Sequence, residues 1–191
     1  MTRLVAVIPP VPALLSEYTG TFDSVADLRK AVLEAVTWLA DRSPARVVVL
    51  GDGPDPANLA RGISEPLAQR VAASLLDQAG FTGDVVDKLD DSDAGILVLA
   101  NGSARRGEKA PGHLDDRAFG YDALIELALA DGDRKSLSGL DASLGSDLMA
   151  SGMEALKQLA ASVADVVDRT TLYADDPFGV RYWVVTWECG S

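Results

Sequence analysis

The chain has 191 residues, of which 48% are hydrophobic and 24% are charged, and its formal net charge is −12 at pH 7. This composition predicts one globular domain over 1–191, and the negative charge argues against nucleic acid or an anionic membrane as a partner, since both would repel it. The single cysteine, Cys189, cannot form an intramolecular disulfide, which predicts a cytoplasmic protein. No membrane span is expected, because the longest apolar run, 95–100, is far shorter than the ~20 residues that a span requires.

Short apolar strands alternate with amphipathic helices in the first half of the chain. Runs of β-branched and aliphatic residues predict four strands, over 4–8, 46–50, 84–89 and 95–100. Apolar residues at helical spacing predict helices over 24–41 and 65–78. Pro66 near the start of the second helix and Gly80 just past its end are typical of helix boundaries.

The second half begins with a long polar loop, 101–116, that shows no apolar periodicity. Loops of this length inside a compact domain are usually functional or disordered. Apolar residues at helical spacing predict two helices after it, over 117–130 and 146–166. The chain ends in a predicted β-hairpin whose strands span 170–174 and 180–188, with a turn at 175–179.

The alternation of strands and helices predicts an α/β fold with a mostly parallel central sheet, to which the C-terminal β-hairpin is added. In such sheets ligands bind in the crevice at the carboxyl ends of the strands. Those ends lead here into Pro9-Pro10, Asp52-Gly53-Pro54 and Asn101 to Arg106. The three loops are therefore the predicted functional site.

The loop after the predicted strand at 95–100 is rich in basic side chains, although the chain as a whole is acidic. It holds four basic or titratable side chains and two polar ones, which with Asp52 make up the candidate binding residues: Asn101, Ser103, Arg105, Arg106, Lys109 and His113. One interpretation is a pocket for a small anionic ligand, because arginine forms bidentate hydrogen bonds with carboxylates and phosphates. The other is a solvated loop whose basic side chains pair with Glu108, Asp115 and Asp116.

Two residues of this loop are candidates for catalysis. His113 could act as a general base near neutral pH, and Ser103, His113 and Asp115 supply the residue types of a hydrolytic triad. Their spacing is not diagnostic, and the chain has no Gly-Xaa-Ser-Xaa-Gly motif. The acidic residues Asp52, Asp55 and 90–93 show no ligand spacing typical of a cation site, so surface acid is the favoured interpretation.

Four segments of the sequence together form a recognisable pattern. They span 8–15, 47–53, 102–118 and 172–182, and the last two carry most of its specificity. On these segments the chain resembles the LigB-like proteins, the catalytic-subunit family of class III extradiol ring-cleavage dioxygenases, and within it a short actinobacterial branch described as dioxygenase-like. The resemblance covers essentially the whole chain. It implies a three-layer α/β/α fold and a protein that is commonly dimeric.

Enzymes of that family hold Fe(II) with two histidines and a glutamate, and a further histidine acts as acid and base. The resemblance puts Pro10 and Gly53 at the positions of the two metal-binding histidines and Arg105 at that of the acid/base histidine. It finds no matching glutamate near Ala150. Because His113 is the only histidine of the chain, a site of two histidines and one carboxylate cannot be built. We therefore expect no metal and no cofactor.

Three hypotheses follow. The favoured one is a dioxygenase-like protein without the ring-cleavage chemistry, which keeps the fold as a non-catalytic small-ligand-binding or interaction module. The alternative is a metal-independent enzyme that acts on a small anionic substrate in the same crevice. The third is a structural homodimer that associates through the last hairpin with Trp183 and Trp187.

Overall fold

A computed structural model of the chain describes residues 2–18, 23–43, 45–89 and 94–190. Its centre is one six-stranded sheet in the order β3-β2-β4-β1-β6-β5. The strands are β1 (Arg3–Ile8), β2 (Arg46–Leu50), β3 (Asp84–Val86), β4 (Gly95–Leu99), β5 (Val166–Asp175) and β6 (Tyr182–Cys189). The first four pair in parallel, whereas β6 runs antiparallel to both β1 and β5. The predicted mostly parallel sheet with a C-terminal hairpin is confirmed.

Helices cover both faces of this sheet. They are α1 (Ala26–Arg42), α2 (Pro56–Ala60), α3 (Leu67–Gln78), α4 (Arg117–Asp131), α5 (Arg134–Ser138), α6 (Ala142–Asp147) and α7 (Met153–Ser162). Alternate residues of β1 divide between the two layers: Ala6 and Ile8 pack with α1 and α3, and Val5 and Val7 pack with α4 and α7. The predicted three-layer α/β/α fold is confirmed.

The helix predicted over 146–166 is wrong, because the chain breaks there into two helices and a strand. Helix α6 ends at Asp147 and α7 begins only at Met153. Between them Gly152 has a φ of +78°, and a Cβ at that position would lie 2.2 Å from the carbonyl oxygen of Leu99. Only glycine allows this combination of left-handed backbone and close approach. The apolar residues after Ser162 belong to the edge strand β5, which starts at Val166.

Three short helices were not predicted, namely α2, α5 and most of α6, and each begins at an aspartate cap. The Asp55 side chain accepts hydrogen bonds from Ala57 and Asn58 at the start of α2, and the Asp133 side chain accepts one from Ser136 at the start of α5. The predicted edge strand at 84–89 is confirmed over its first three residues. The acidic run at 90–93 lies outside the described residues.

Trp183 and Trp187 lie on the face of β6 that packs against α4, and both are buried in the core. The indole N–H of Trp187 donates to the carbonyl oxygen of Leu129 at 2.9 Å. These two side chains are therefore not available to a partner, so they cannot form the contact that the third hypothesis gave them, and the homodimer itself stays a prediction. Among the described residues, no helix is both long and apolar enough to cross a membrane.

Candidate ligand-binding crevice

A crevice opens at the carboxyl ends of β1, β2 and β3. It consists of two adjoining cavities of about 730 and 620 Å³, and both are lined by Asp52, Gly53 and Pro54, which follow β2. The larger is also lined by Pro66, Gln69, Val85, Val86, Asp87 and Gln158. The smaller is also lined by Pro10, Asp55, Pro56, Asn58, Leu67, Ala68 and Ser151. This is the edge at which parallel sheets bind ligands.

Asp52 joins the two sides of the crevice. Its Oδ2 accepts a 2.8 Å hydrogen bond from the backbone N–H of Gly152, the residue that caps α7. The adjacent Ser151 pairs with Asn101 through two backbone hydrogen bonds of 3.0 and 3.1 Å, which ties the same segment to the end of β4. The ends of β2 and β4 and the start of α7 are therefore connected around a single carboxylate.

The outer wall of the smaller cavity is formed by α2 and the start of α3. Gly51 lets α3 approach β2 closely, since a Cβ there would lie 2.5 Å from the Cβ of Ala68. Leu67, which is 38% exposed, lines the cavity, and two further apolar side chains are exposed nearby in sequence, Leu59 at 49% and Ile63 at 51%. The rim thus offers apolar surface beside the polar floor.

The polar lining of the crevice is acidic. Asp52, Asp55 and Asp87 contribute carboxylates, and the remaining polar side chains are the neutral Gln69, Gln158, Asn58 and Ser151. No lysine, arginine or histidine is among the described residues that line either cavity. This lining favours a neutral or cationic ligand, because an unpaired anion would be repelled.

Of the predicted binding residues, Asp52 lies in the crevice, whereas Asn101 and Ser103 are buried behind it. The Asn101 side chain donates to the carbonyl oxygen of Gly102 at 2.8 Å. The Ser103 hydroxyl donates to the carbonyl oxygen of Leu148 and accepts from the N–H of Arg105, at 2.8 and 2.9 Å. Both side chains hold the backbone of the loop in place.

Arg106 forms a partly buried ion-pair network that holds the loop against the rest of the domain. Its guanidinium donates to Asp176 at 2.7 Å and to Asp122 at 3.1 Å, and it lies over the ring of Phe119 with its Cζ 4.6 Å from the ring centre. Burial raises the pKa of Asp122, whereas the N–H of Ser103 and the positive charge of Arg106 act to lower it. The Arg106 charge is therefore compensated within the protein.

Of the remaining candidates, Arg105 is half-buried beside Gly112, and its Nε is buried with no hydrogen-bond partner among the described residues. Lys109 and His113 are exposed, and His113 Nδ1 lies 3.4 Å from the carbonyl oxygen of Glu108. Asp115 accepts hydrogen bonds from Arg117, which lower the pKa of Asp115 to about 2. Ser103, His113 and Asp115 therefore each have different partners, and their proposed catalytic roles stay a prediction.

Gly102 packs closely against the core beneath the loop. A Cβ at this position would lie 2.5 Å from Oδ1 of Asp122 and 2.7 Å from the ring of Trp183. Its N–H donates to the carbonyl oxygen of Arg181 at 2.8 Å. Glycine is required there by close packing against the core.

The side chains of the crevice do not fit the iron centre that the family resemblance implies. The described part of the chain contains no group of three or more His, Cys, Asp or Glu residues that could hold a metal. Asp52 and Asp55 already accept backbone N–H groups, and neither cavity has an imidazole in its lining. No chemical step is therefore assigned to a metal.

No protein-family model matches the chain, and a search of curated proteins finds no relative.

Proposed function

We propose that the protein is a LigB-like, dioxygenase-like protein that acts in the cytoplasm as a non-catalytic binding module for a small neutral or cationic ligand. One observation carries this proposal. Pro10 and Gly53, the residues at the positions of the family's two metal-binding histidines, line the same 620 Å³ cavity. They follow separate strands and are 43 positions apart, and they lie together at one sheet edge, as the resemblance requires.

The charge of the lining supports the proposed ligand class. Asp52 and Asp55 face the cavity that Pro10 and Gly53 line, and the basic side chain of Arg106 is engaged in ion pairs elsewhere. A ligand amine or hydroxyl could donate to these carboxylates, while its apolar part would rest against Leu67 and Ala68. A carboxylate-bearing ligand would meet repulsion at the same place.

Three probes with the same ring but different charge test the ligand class: benzylamine, benzyl alcohol and benzoate. Each is titrated to about 10 mM into ¹⁵N-labelled protein, a range suited to fragment affinities near 1 mM. We expect benzylamine and benzyl alcohol to shift the amide signals of Asp52, Gly53 and Asn58, and benzoate to leave them unchanged. The substitution Asp52→Asn should weaken the binding of benzylamine more than that of benzyl alcohol, since only benzylamine loses an oppositely charged partner.

Two outcomes would count against the proposal. If none of the three probes shifts the crevice signals, the crevice does not bind small ligands of this kind. If benzoate binds preferentially and shifts signals between Ser103 and His113, the metal-independent enzyme for an anionic substrate becomes the better hypothesis.

The family assignment can be tested separately by restoring histidines. A Cβ at Gly53 would have no neighbour within 4 Å, so Gly53→His adds a side chain in open space. We expect the variant with both Pro10→His and Gly53→His to bind Co²⁺ stoichiometrically, with a visible absorption spectrum, because two imidazoles and the Asp52 carboxylate would share one cavity. The control pair Pro10→His and Gly107→His, whose second site lies in the polar loop, should not. Equal binding by both pairs would contradict the assignment.

A further inference from the structure

The two cavities of the crevice share one wall. Asp52, Gly53 and Pro54 line both the larger and the smaller cavity. Each cavity alone, at about 730 and 620 Å³, lies in the range of ~300–1,000 Å³ that is usual for a small-molecule site. A compact ligand would therefore fill only one of them, whereas an elongated ligand that passes Asp52 can reach both.

Three carboxylates follow one another along the crevice. Asp55 lines the smaller cavity, Asp87 lines the larger one, and Asp52 lines both. Continued by one residue, the register of β2 with β3 sets Asp87 beside Val49, and Asp52 follows Val49 by a stretch of at most about 11 Å. The described residues contain no acidic group of three that converges on one point. We call Asp55, Asp52 and Asp87 the carboxylate row.

Each member of the carboxylate row keeps an oxygen for a ligand. Asp52 uses Oδ2 to accept from the N–H of Gly152, and Asp55 uses Oδ1 to accept from two N–H groups of α2. The second oxygen of each has no hydrogen-bond partner within the described ranges. Asp87 forms no hydrogen bond or ion pair with any other described residue. The row can therefore accept several hydrogen bonds from a cationic ligand.

The basic side chains of the helices that line the crevice do not neutralise the carboxylate row. Arg70 of α3 pairs with Glu17, and Lys157 of α7 pairs with Glu154. Lys88 follows Asp87 but is exposed outside the lining of either cavity. The negative charge of the row is therefore left to a ligand.

Apolar side chains lie between the carboxylates. Leu67 and Ala68 line the smaller cavity, and Val85 and Val86 line the larger one. Methylene groups can rest against such surface while the charged groups that they connect stay in polar surroundings. Acidic and apolar surface therefore alternate along the crevice.

We propose that the ligand of the crevice is a linear aliphatic polyamine, a methylene chain with an ammonium group at each end and one in between. This choice of ligand rests on the proposed function, because it uses the same site. The middle ammonium donates to Asp52, and the terminal ones donate to Asp55 and Asp87. A compact metal ion cannot reach all three carboxylates, and an amino acid would bring a carboxylate that the lining repels. The net charge of −12 adds a general attraction for such a polycation.

Isothermal titration calorimetry with three cations tests this ligand class. The probes are spermidine, which is a linear triamine, n-hexylamine, which has one ammonium on an apolar chain, and hexaamminecobalt(III), which is a compact trication. At an ionic strength of about 150 mM the Debye length is ~8 Å, so the attraction by the overall charge is weak. We expect spermidine to bind at least about tenfold more tightly than either other probe. It should also displace benzylamine from the amides of Asp52 and Gly53.

Substitutions along the carboxylate row locate the bound chain. Asp87→Asn should weaken spermidine at least about fivefold and benzylamine less than about twofold, because benzylamine needs only the smaller cavity. Asp55→Asn should weaken both ligands, and the asparagine still caps α2. Asp77→Asn is the matched control, since Asp77 is exposed on α3 outside the lining and the change in charge is the same. It should leave both affinities unchanged.

The outcomes separate this proposal from the proposed function. Binding of benzylamine without a preference for spermidine over n-hexylamine would overturn the polyamine and leave the proposed function standing. Equal affinities for spermidine and hexaamminecobalt(III), or equal effects of Asp87→Asn and Asp77→Asn, would also overturn the polyamine, because net charge alone would then explain the binding. If neither benzylamine nor spermidine binds, the proposed function itself fails.

Discussion

The carboxylate of Asp52 and the backbone N–H of Gly152 lie 100 residues apart in sequence and form a 2.8 Å hydrogen bond across the floor of the crevice. Gly152 is buried, so its N–H depends on this acceptor. Asp52 therefore stabilises the fold through this hydrogen bond and also lines the crevice. Substitutions at this residue must therefore be judged for stability as well as for binding.

We expect Asp52→Ala to lower the free energy of unfolding by about 1–2 kcal/mol, because the Gly152 N–H loses its acceptor. Asp52→Asn should cost less, since its side-chain carbonyl can still accept the bond. Urea denaturation monitored by circular dichroism measures both. If Asp52→Ala and Asp52→Asn are equally stable, the hydrogen bond contributes nothing.

Gly152 and Gly53 form a matched pair of glycines beside the crevice. Gly152→Ala should destabilise the fold by about 2 kcal/mol or more, because the residue combines a φ of +78° with a gap of 2.2 Å between a Cβ and the Leu99 carbonyl oxygen. Gly53→Ala should change stability by less than about 1 kcal/mol, since its Cβ meets nothing within 4 Å. Thermal unfolding of both variants measures the difference. Equal decreases in Tm would mean that the backbone at Gly152 relaxes to accept a side chain.

We expect the largest loss of stability when the ion-pair network around Arg106 is disrupted. Arg106→Ala leaves the carboxylate of Asp122, which is 1% exposed, without its closest positive charge. We expect a loss of about 3 kcal/mol, as is usual when one partner of a buried ion pair is removed. The double variant with Arg106→Ala and Asp122→Asn should recover part of it in urea denaturation. Lys109→Ala, an exposed control in the same loop, should have little effect.

Alkaline pH should destabilise the protein. Burial raises the pKa of the Cys189 thiol to about 11, and burial with the charges of Asp141 and Asp122 raises the pKa of Tyr121 to about 12. The unfolded chain loses these protons at lower pH than the native state does, so stability is full below about pH 8.5 and falls as the pH rises toward 11. Urea midpoints measured from pH 7 to 11 test this. Cys189→Ala should flatten the first part of the fall.

Much of the fold can be predicted from local sequence, because each buried strand is a short run of aliphatic residues that is visible without knowledge of its neighbours in the sheet. Strands β1, β2 and β4 and helices α1, α3 and α4 lie within two residues of their predicted ends. The break near Gly152 was missed because its cause, the approach to Leu99, joins residues far apart in sequence. Helix α2 did have a local signal, the Asp55-Pro56 pair that caps helix starts.

Less of the candidate site than of the fold could be predicted from the sequence. Its location at the strand ends and the presence of Asp52 follow from the order of strands and helices. The partners of Arg106 lie 16 and 70 positions away, so no local pattern could reveal that its charge is neutralised. Ser151 lines the crevice only because its backbone pairs with Asn101, a contact across 50 positions.

Four prolines line the crevice: Pro10, Pro54, Pro56 and Pro66. Their rings fix φ near −65°, so much of the conformational entropy of these walls is lost when the chain folds rather than when a ligand arrives. A pre-organised wall of this kind lowers the entropic penalty of binding. A ligand whose shape fits the crevice would therefore need few contacts to be retained.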